Sequence, residues 1–245
     1  MKRAFPILSL LTALLLGYAF YEAMWVAPME RTMGDVQRIF YYHVPSAWTA
    51  FLLFAANLVA SVIYLVRRNP KADAVALVSA EVGVLFCTVV LVTGPIWARP
   101  VWGIWWTWDI RLTTTLVLWL IYVSYLVLRR FSDSSQTPKL AAVLAIFGAL
   151  DVPLVYFSIW FFRTQHPQPV IGGGGSIDPR MLHVLLINWL AFSCFALLIC
   201  WSRYRLEMLQ REVEEAEAME SLLDAGGPTA AATQKATIPL SRVPR

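Results

Sequence analysis

Six long apolar segments, separated by short polar ones, constrain the fold of this chain more than any other feature of its sequence. They cover about residues 4–26, 46–66, 75–96, 112–128, 140–162 and 181–201. Each is close to the length of helix, about 17–25 residues, that crosses a lipid bilayer. Hydrophobic residues make up 58% of the 245 residues and charged residues only 15%, a balance typical of membrane proteins. We therefore predict an all-α integral membrane protein in which residues 1–201 form a six-helix transmembrane bundle.

The basic residues near the segment ends predict how the bundle is oriented. Eleven lysines and arginines lie at ends on the same side as the N-terminus, whereas six arginines lie at the opposite ends. Because loops rich in lysine and arginine stay in the cytoplasm, we expect a multi-pass protein of a bacterial inner membrane with both termini in the cytoplasm. Residues 97–111 then face the periplasm. The net charge of +4 is explained by these lysines and arginines at the segment ends, and it gives no indication of nucleic-acid binding.

Two further parts follow the last apolar segment. Residues 202–224 include the charged run R-E-V-E-E-A-E-A-M-E-S-L-L and are predicted to form a cytoplasmic helix, supported by the i,i+4 pair Arg211 and Glu215. Its role stays open between a solvated helix and a docking helix for a cytoplasmic partner. Residues 225–245 are rich in alanine, threonine and proline without periodicity, and we expect a disordered tail.

Residues 97–111 read W-A-R-P-V-W-G-I-W-W-T-W-D-I-R and lie between the third and fourth apolar segments. The run contains five of the 11 tryptophans and three charged residues: Trp97, Trp102, Trp105, Trp106, Trp108, Arg99, Asp109 and Arg111. In a helix, positions 102, 105, 106 and 109 share one face. Asp109 can also cap the helix that follows. We predict a short helix on the outer membrane surface, with an aromatic belt at the interface as the simpler alternative.

The periplasmic loops also hold two histidines, which narrow the chemistry of a site. His43 lies just before the predicted start of the second helix at residue 46, and His166 follows the fifth segment. The loops contain no G-x-S-x-G motif, and the cysteines form no C-x-x-C pair. A zinc site usually has three or more protein ligands, and these loops offer only two histidines and no cysteine. Haem fits better, because its iron takes imidazoles on both faces and its flat surface packs on aromatic rings. Arg99 or Arg111 would meet its propionates, although a single interfacial histidine is often only a polar side chain.

Several of these motifs resemble one protein family. The run W-G-I-W-W-T-W-D-I-R-L-T-T-T-L-V-L at residues 102–118 is similar to the WWD motif of the haem-handling proteins of cytochrome c biogenesis. With Y-Y-H-V-P-S-A-W, L-V-T-G-P-I-W-A-R-P and the six-span layout, the chain resembles the haem exporter protein C (CcmC) family over about residues 38–181. The resemblance implies that His43 and His166 are the axial ligands of a haem iron. Gln165 and Pro167 differ from the leucine and glutamine common in the family.

The resemblance implies a haem carrier rather than an enzyme. Proteins that share these motifs hold haem b at the periplasmic face of the membrane and present it to the haem chaperone CcmE. They work beside the ABC-type subunits CcmA and CcmB and the small subunit CcmD. This chain has no G-x-x-x-x-G-K-[ST] motif, so nucleotide would bind to a partner.

Two other functions stay open at the level of sequence. A transmembrane haem exporter would need polar groups along the spans, for which Glu81 and Asp151 are candidates. A b-type electron-transfer subunit would place histidine pairs in both halves of the membrane, and the inner half has none. His183, near the start of the sixth segment, is an alternative second ligand or a packed polar residue.

Overall fold

The computed structural model describes residues 4–132, 134–162, 164–167 and 177–225, and all its long elements are helices. In chain order they are α1 (Ala4–Tyr21), α2 (Phe40–Arg67), α3 (Pro70–Trp102), α4 (Ile110–Phe131), α5 (Thr137–Ala149), α6 (Asp151–Phe161) and α7 (Pro179–Ala225). A π-helical turn, Glu22–Val26, extends α1, and a 3-10 turn, Asp35–Ile39, leads into α2. Six helical stretches in the described part are long and apolar enough to cross a membrane. The predicted all-α membrane fold is confirmed.

The chain divides into two units, residues 1–204 and 205–245. In the first unit, the predicted fifth segment is divided at Leu150 into α5 and α6. Pro153 is the third residue of α6 and suits its first turn, where a backbone N–H has no helical acceptor. The predicted tail, 225–245, lies outside the described residues apart from Ala225, the last residue of α7.

The start of α2 differs from the prediction. The helix begins at Phe40 rather than at position 46, so Pro45 lies inside it and removes one backbone hydrogen bond. Phe40 and Tyr41 belong to a buried apolar cluster that includes Val184 of α7. Burial of these side chains offsets the free energy that Pro45 costs by removing a helical hydrogen bond. A prediction from local helix propensity does not include this burial, and it therefore places the start of the helix too late. His43 is therefore held within a helix and not in a loop.

The tryptophan-rich segment does not form the predicted surface helix. α3 continues through two prolines to Trp102, and Gly103 ends it with φ +78°, a left-handed conformation that favours glycine. Residues 103–109 then form bends and irregular backbone. Asp109 caps α4 as predicted, because its Oδ1 accepts a hydrogen bond of 3.0 Å from the Leu112 N–H. The tryptophans are divided between the end of α3 and the loop before α4.

The main core of the first unit forms where α2, α3 and α4 pack against one another and against α5, α6 and the first part of α7. A Cβ added at Gly83 of α3 would lie 2.7 Å from Cε1 of Phe54 in α2, so a larger residue displaces that ring. Phe54 stacks on Tyr122 of α4, with ring centroids 3.9 Å apart. This packing fixes the three helices that carry most of the candidate site.

Candidate functional site

A cavity opens between α2, α3 and α4. Its enclosed volume is about 110 Å³, and the space counted out through its open mouth is about 940 Å³. Most of its walls are apolar. Six of the predicted site residues line it: His43, His166, Trp97, Trp102, Trp106 and Arg111. The fold thus brings together residues from three helices, the loop before α4 and the segment after α6.

The rings of His43 and His166 lie close together in this cavity. Their centroids are 6.5 Å apart and their planes differ by 33°. Two metal–nitrogen bonds of about 2 Å, each extended by about 1 Å to the ring centre, would separate two imidazoles on one metal by about 6 Å. The observed spacing therefore fits one metal atom held between the two histidines.

Hydrogen bonds select the same tautomer for both histidines. Nδ1 of His43 lies 2.8 Å from Oγ1 of Thr93, whose hydroxyl donates to the Val89 carbonyl oxygen at 2.7 Å. The Thr93 oxygen therefore accepts, and Nδ1 of His43 carries the proton. Nδ1 of His166 lies 2.9 Å from the carbonyl oxygen of Pro167, which can only accept. In both rings Nε2 keeps its lone pair, which is the form that binds a metal.

The surroundings of His166 also keep it uncharged. Burial, assisted by the positive charge of Arg111, lowers the pKa of His166 to about 4. The hydrogen bond to the Pro167 carbonyl oxygen and the charge of Asp109 oppose this shift but do not cancel it. His166 is therefore neutral at pH 7, as a metal ligand must be.

Of the two candidate arginines, Arg111 lines the cavity. It lies in the first turn of α4, and its Nη1 is 3.5 Å from the carbonyl oxygen of Tyr156. Arg99 is exposed, donates to the Gly103 carbonyl oxygen and lies over the Trp105 ring at 6.0 Å. Arg111 is thus placed to meet a carboxylate in the cavity.

The remaining predicted residues lie outside the cavity wall. Oδ1 of Asp109 caps α4, and its Oδ2 accepts a hydrogen bond of 3.0 Å from the Thr107 hydroxyl. Trp105 and Trp108 are 58% and 76% exposed. Asp109 therefore has a structural role, and these two tryptophans are available to a partner or to the membrane interface.

The sequence matches a known family over most of its length. Residues 1–219 match CcmC, described as heme exporter protein C. The chain belongs to this family. Heme exporter protein C of Bradyrhizobium diazoefficiens is 35% identical over 222 residues, which cover 89% of this chain and 84% of that relative. Heme exporter protein C of Escherichia coli (strain K12) is 31% identical over 222 residues, 90% of each chain. A putative cytochrome c biosynthesis ccmC-like mitochondrial protein of Marchantia polymorpha is 34% identical over 179 residues, 73% of this chain and 76% of that relative.

In this CcmC-family chain, the cavity carries groups that suit both the faces and the edge of haem. Its apolar walls match the flat macrocycle. Trp97 and Trp106 each hold a buried indole N–H without a hydrogen-bond partner among the described residues. With Arg111, these groups are donors for carboxylates, and a buried donor left unpaired is costly. The residues present therefore fit haem.

Sequence reasoning missed two residues beside His43. Thr93 accepts its Nδ1–H, and Gly94 lies beside the ring, because a Cβ added there would make ordinary van der Waals contact with its Cε1 at 3.5 Å. Both residues fall within the apolar segment 75–96, which contains several other small or polar residues, so the sequence does not single out these two. His183 is exposed on α7 and is not one of the described residues that line the cavity.

Proposed function

We propose that this multi-pass membrane protein carries haem for cytochrome c maturation by holding one haem b per chain between His43 and His166. The haem-handling role itself follows from membership of the heme exporter protein C family. The observation that carries the finer proposal is the histidine pair, with ring centroids 6.5 Å apart and both Nε2 lone pairs free in an apolar cavity. Haem is the cargo, and its iron offers the two axial positions that these nitrogens fill.

The other candidate residues support this pair in different ways. Arg111 and the indole N–H groups of Trp97 and Trp106 hydrogen-bond the propionates. Trp102 contacts the macrocycle, and each aromatic contact contributes about 0.5–1.5 kcal/mol beyond burial. Arg99 and Asp109 act indirectly, because Arg99 lies over Trp105 and Asp109 starts the helix that positions Arg111.

The proposal includes delivery to the periplasmic haem chaperone CcmE. An open cavity releases its ligand without a slow opening step. The exposed rings of Trp105 and Trp108 offer a surface on which a chaperone can complete the site. In this proposal the cavity faces the periplasm, both termini are cytoplasmic, and CcmA, CcmB and CcmD are subunits of the same membrane complex.

The two alternative functions depend on additional polar residues in the membrane spans. A two-haem electron carrier needs a second histidine pair, and the chain has three histidines in all. For a transmembrane exporter, Glu81 and Asp151 were the candidate path residues. Glu81 forms an ion pair with Arg203 at 2.8 Å, and Asp151, at the start of α6, has a buried Oδ2 without a hydrogen-bond partner among the described residues. Two carboxyl groups are too few to indicate a path across the membrane.

The direct test is the optical spectrum and haem content of the chain purified in detergent from cells that make haem. We expect one haem per chain with the low-spin spectrum of two imidazole ligands. Two haems per chain, rapidly reduced by quinol, would instead identify an electron carrier. Absence of haem from every preparation would contradict the haem site, and the tryptophans would then be explained as an aromatic belt at the membrane interface.

Thr93→Val should weaken haem binding, because valine fills the space of threonine but cannot accept the Nδ1–H of His43. The loss of a hydrogen bond that orients a metal-binding histidine typically lowers affinity about 10–100-fold. Haem titration of the purified chain measures this change. Thr93→Ser is the matched control and should keep near-normal affinity. Equal affinities in the valine and serine variants would contradict the tautomer assignment.

Replacing Trp105 and Trp108 together by alanine should impair handover but preserve haem binding, because both rings are mostly exposed. Removal of aromatic contacts at an interface should weaken CcmE capture by at least about tenfold. The measurement is co-purification of CcmE with the haem-loaded chain. Trp25→Ala, which removes a 65% exposed tryptophan outside the WWD motif, is the control. Unchanged capture of CcmE by the double variant would contradict a role in docking and would indicate that Trp105 and Trp108 only contact the membrane interface.

A further inference from the structure

An apolar stripe runs along the C-terminal part of α7, within the second unit of the chain. Leu206, Leu209, Val213 and Leu223 lie on it, and their side chains are 55%, 53%, 55% and 68% exposed. With Ala216 and Glu220, their spacing alternates between three and four residues, the a and d positions of a heptad repeat. The stripe extends over 18 residues, about 27 Å of helix. A helix buries such a stripe against another helix when a partner is available.

The charges around this stripe are almost all negative. Residues 205–225 contain seven acidic residues and two arginines, although the whole chain has a net charge of +4. At the positions that flank the stripe, where coiled coils form their interhelical ion pairs, Glu212 and Glu217 are acidic and Arg205, at the N-terminal end, is basic. Glu220 occupies a stripe position itself and is exposed. A helix packed here would therefore meet carboxylates on its flanks and one within the seam.

We propose that residues 206–223 form an acidic half of a two-helix coiled coil and dock a basic amphipathic helix of a partner protein. That partner helix carries apolar side chains at its own a and d positions and lysine or arginine at the flanking positions. It also carries a basic residue opposite Glu220, because a carboxylate in the seam needs a cationic partner when water is excluded. The proposal concerns the second unit alone and does not depend on haem binding.

The same charges argue against other occupants. In a pair of two identical helices, Glu212 and Glu217 would face glutamates of the second copy, and like charges oppose such pairing. The headgroups of anionic lipids repel an acidic helix for the same reason. A basic helix gains from every one of these carboxylates, and a partner anchored in the same membrane meets the stripe at high effective concentration.

The test uses the full chain in detergent and three synthetic labelled peptides. The basic probe has lysine at the flanking positions and leucine at a and d, except for one lysine at the seam position opposite Glu220. The acidic probe has glutamate at the flanking positions, and the scrambled probe has the composition of the basic one without the heptad spacing. Fluorescence anisotropy should report micromolar binding of the basic probe alone, weakening as salt is raised.

Variants separate seam packing from simple charge attraction. The double variant Leu209→Gln with Val213→Gln should weaken binding of the basic probe at least about tenfold. Leu222 is 68% exposed but does not lie on the stripe, so Leu222→Gln is the control and should not weaken binding. Circular dichroism checks that each variant keeps its helix content. Equal binding of the basic and scrambled probes, or unchanged binding in the double variant, overturns the proposal. Self-association of the chain that the double variant abolishes also overturns it, in favour of a second copy.

Discussion

Alanine at His43 or at His166 is expected to remove haem from the purified chain. Each substitution deletes one of the two imidazoles whose ring centroids lie 6.5 Å apart, and a single remaining nitrogen cannot hold the iron from both sides. We expect haem affinity to fall by more than about 100-fold, or about 2.7 kcal/mol, with loss of the low-spin spectrum. Haem content and optical spectra of the variant chains measure the effect.

Two controls make this result specific. His183→Ala removes an exposed histidine on α7 and should retain haem. Free imidazole should restore the low-spin spectrum of the two cavity variants, because it can occupy the space that the deleted ring leaves. Retention of haem in His166→Ala together with its loss in His183→Ala would move the second ligand to α7. Normal haem content in both cavity variants would refute the site.

Leucine at Arg129 is expected to destabilise the membrane domain more than any surface substitution. Arg129, near the end of α4, forms two hydrogen bonds of 2.6 and 2.8 Å with the Asp73 carboxylate in the first turn of α3. The two side chains are 11% and 5% exposed. Removal of one partner leaves the other charge buried, which costs about 3–5 kcal/mol in comparable pairs.

Thermal unfolding in detergent, followed by circular dichroism, measures this loss. The neighbouring Arg130 is exposed, so Arg130→Leu is the matched control and should change the unfolding temperature little. A double variant, Asp73→Leu with Arg129→Leu, should recover much of the stability, because it removes the stranded carboxylate as well. Equal stability of the Arg129 and Arg130 variants would show that the pair contributes nothing to the fold.

The candidate site was only partly accessible from sequence. His43, His166 and the WWD run were found because each is a rare residue type or pattern outside the apolar segments. Thr93 was not found, because a threonine within an apolar helix has many uses and its partner lies 50 residues away. From the sequence there was no reason to prefer Arg99 or Arg111 as the partner of a propionate. In the structure α3 ends at Gly103, after which Arg99 lies over Trp105 and Arg111 lines the cavity.

The sequence by itself determined that this chain is a six-span helical membrane protein of the CcmC family, because the length and polarity of each segment decide how it partitions between lipid and water. Only the tertiary structure decided where α2 begins, how the tryptophan segment is divided and which nitrogen of His43 is free. Those features depend on contacts between distant residues. Burial of Phe40 outweighs the local preference of Pro45, and the approach of α3 brings Thr93 to His43.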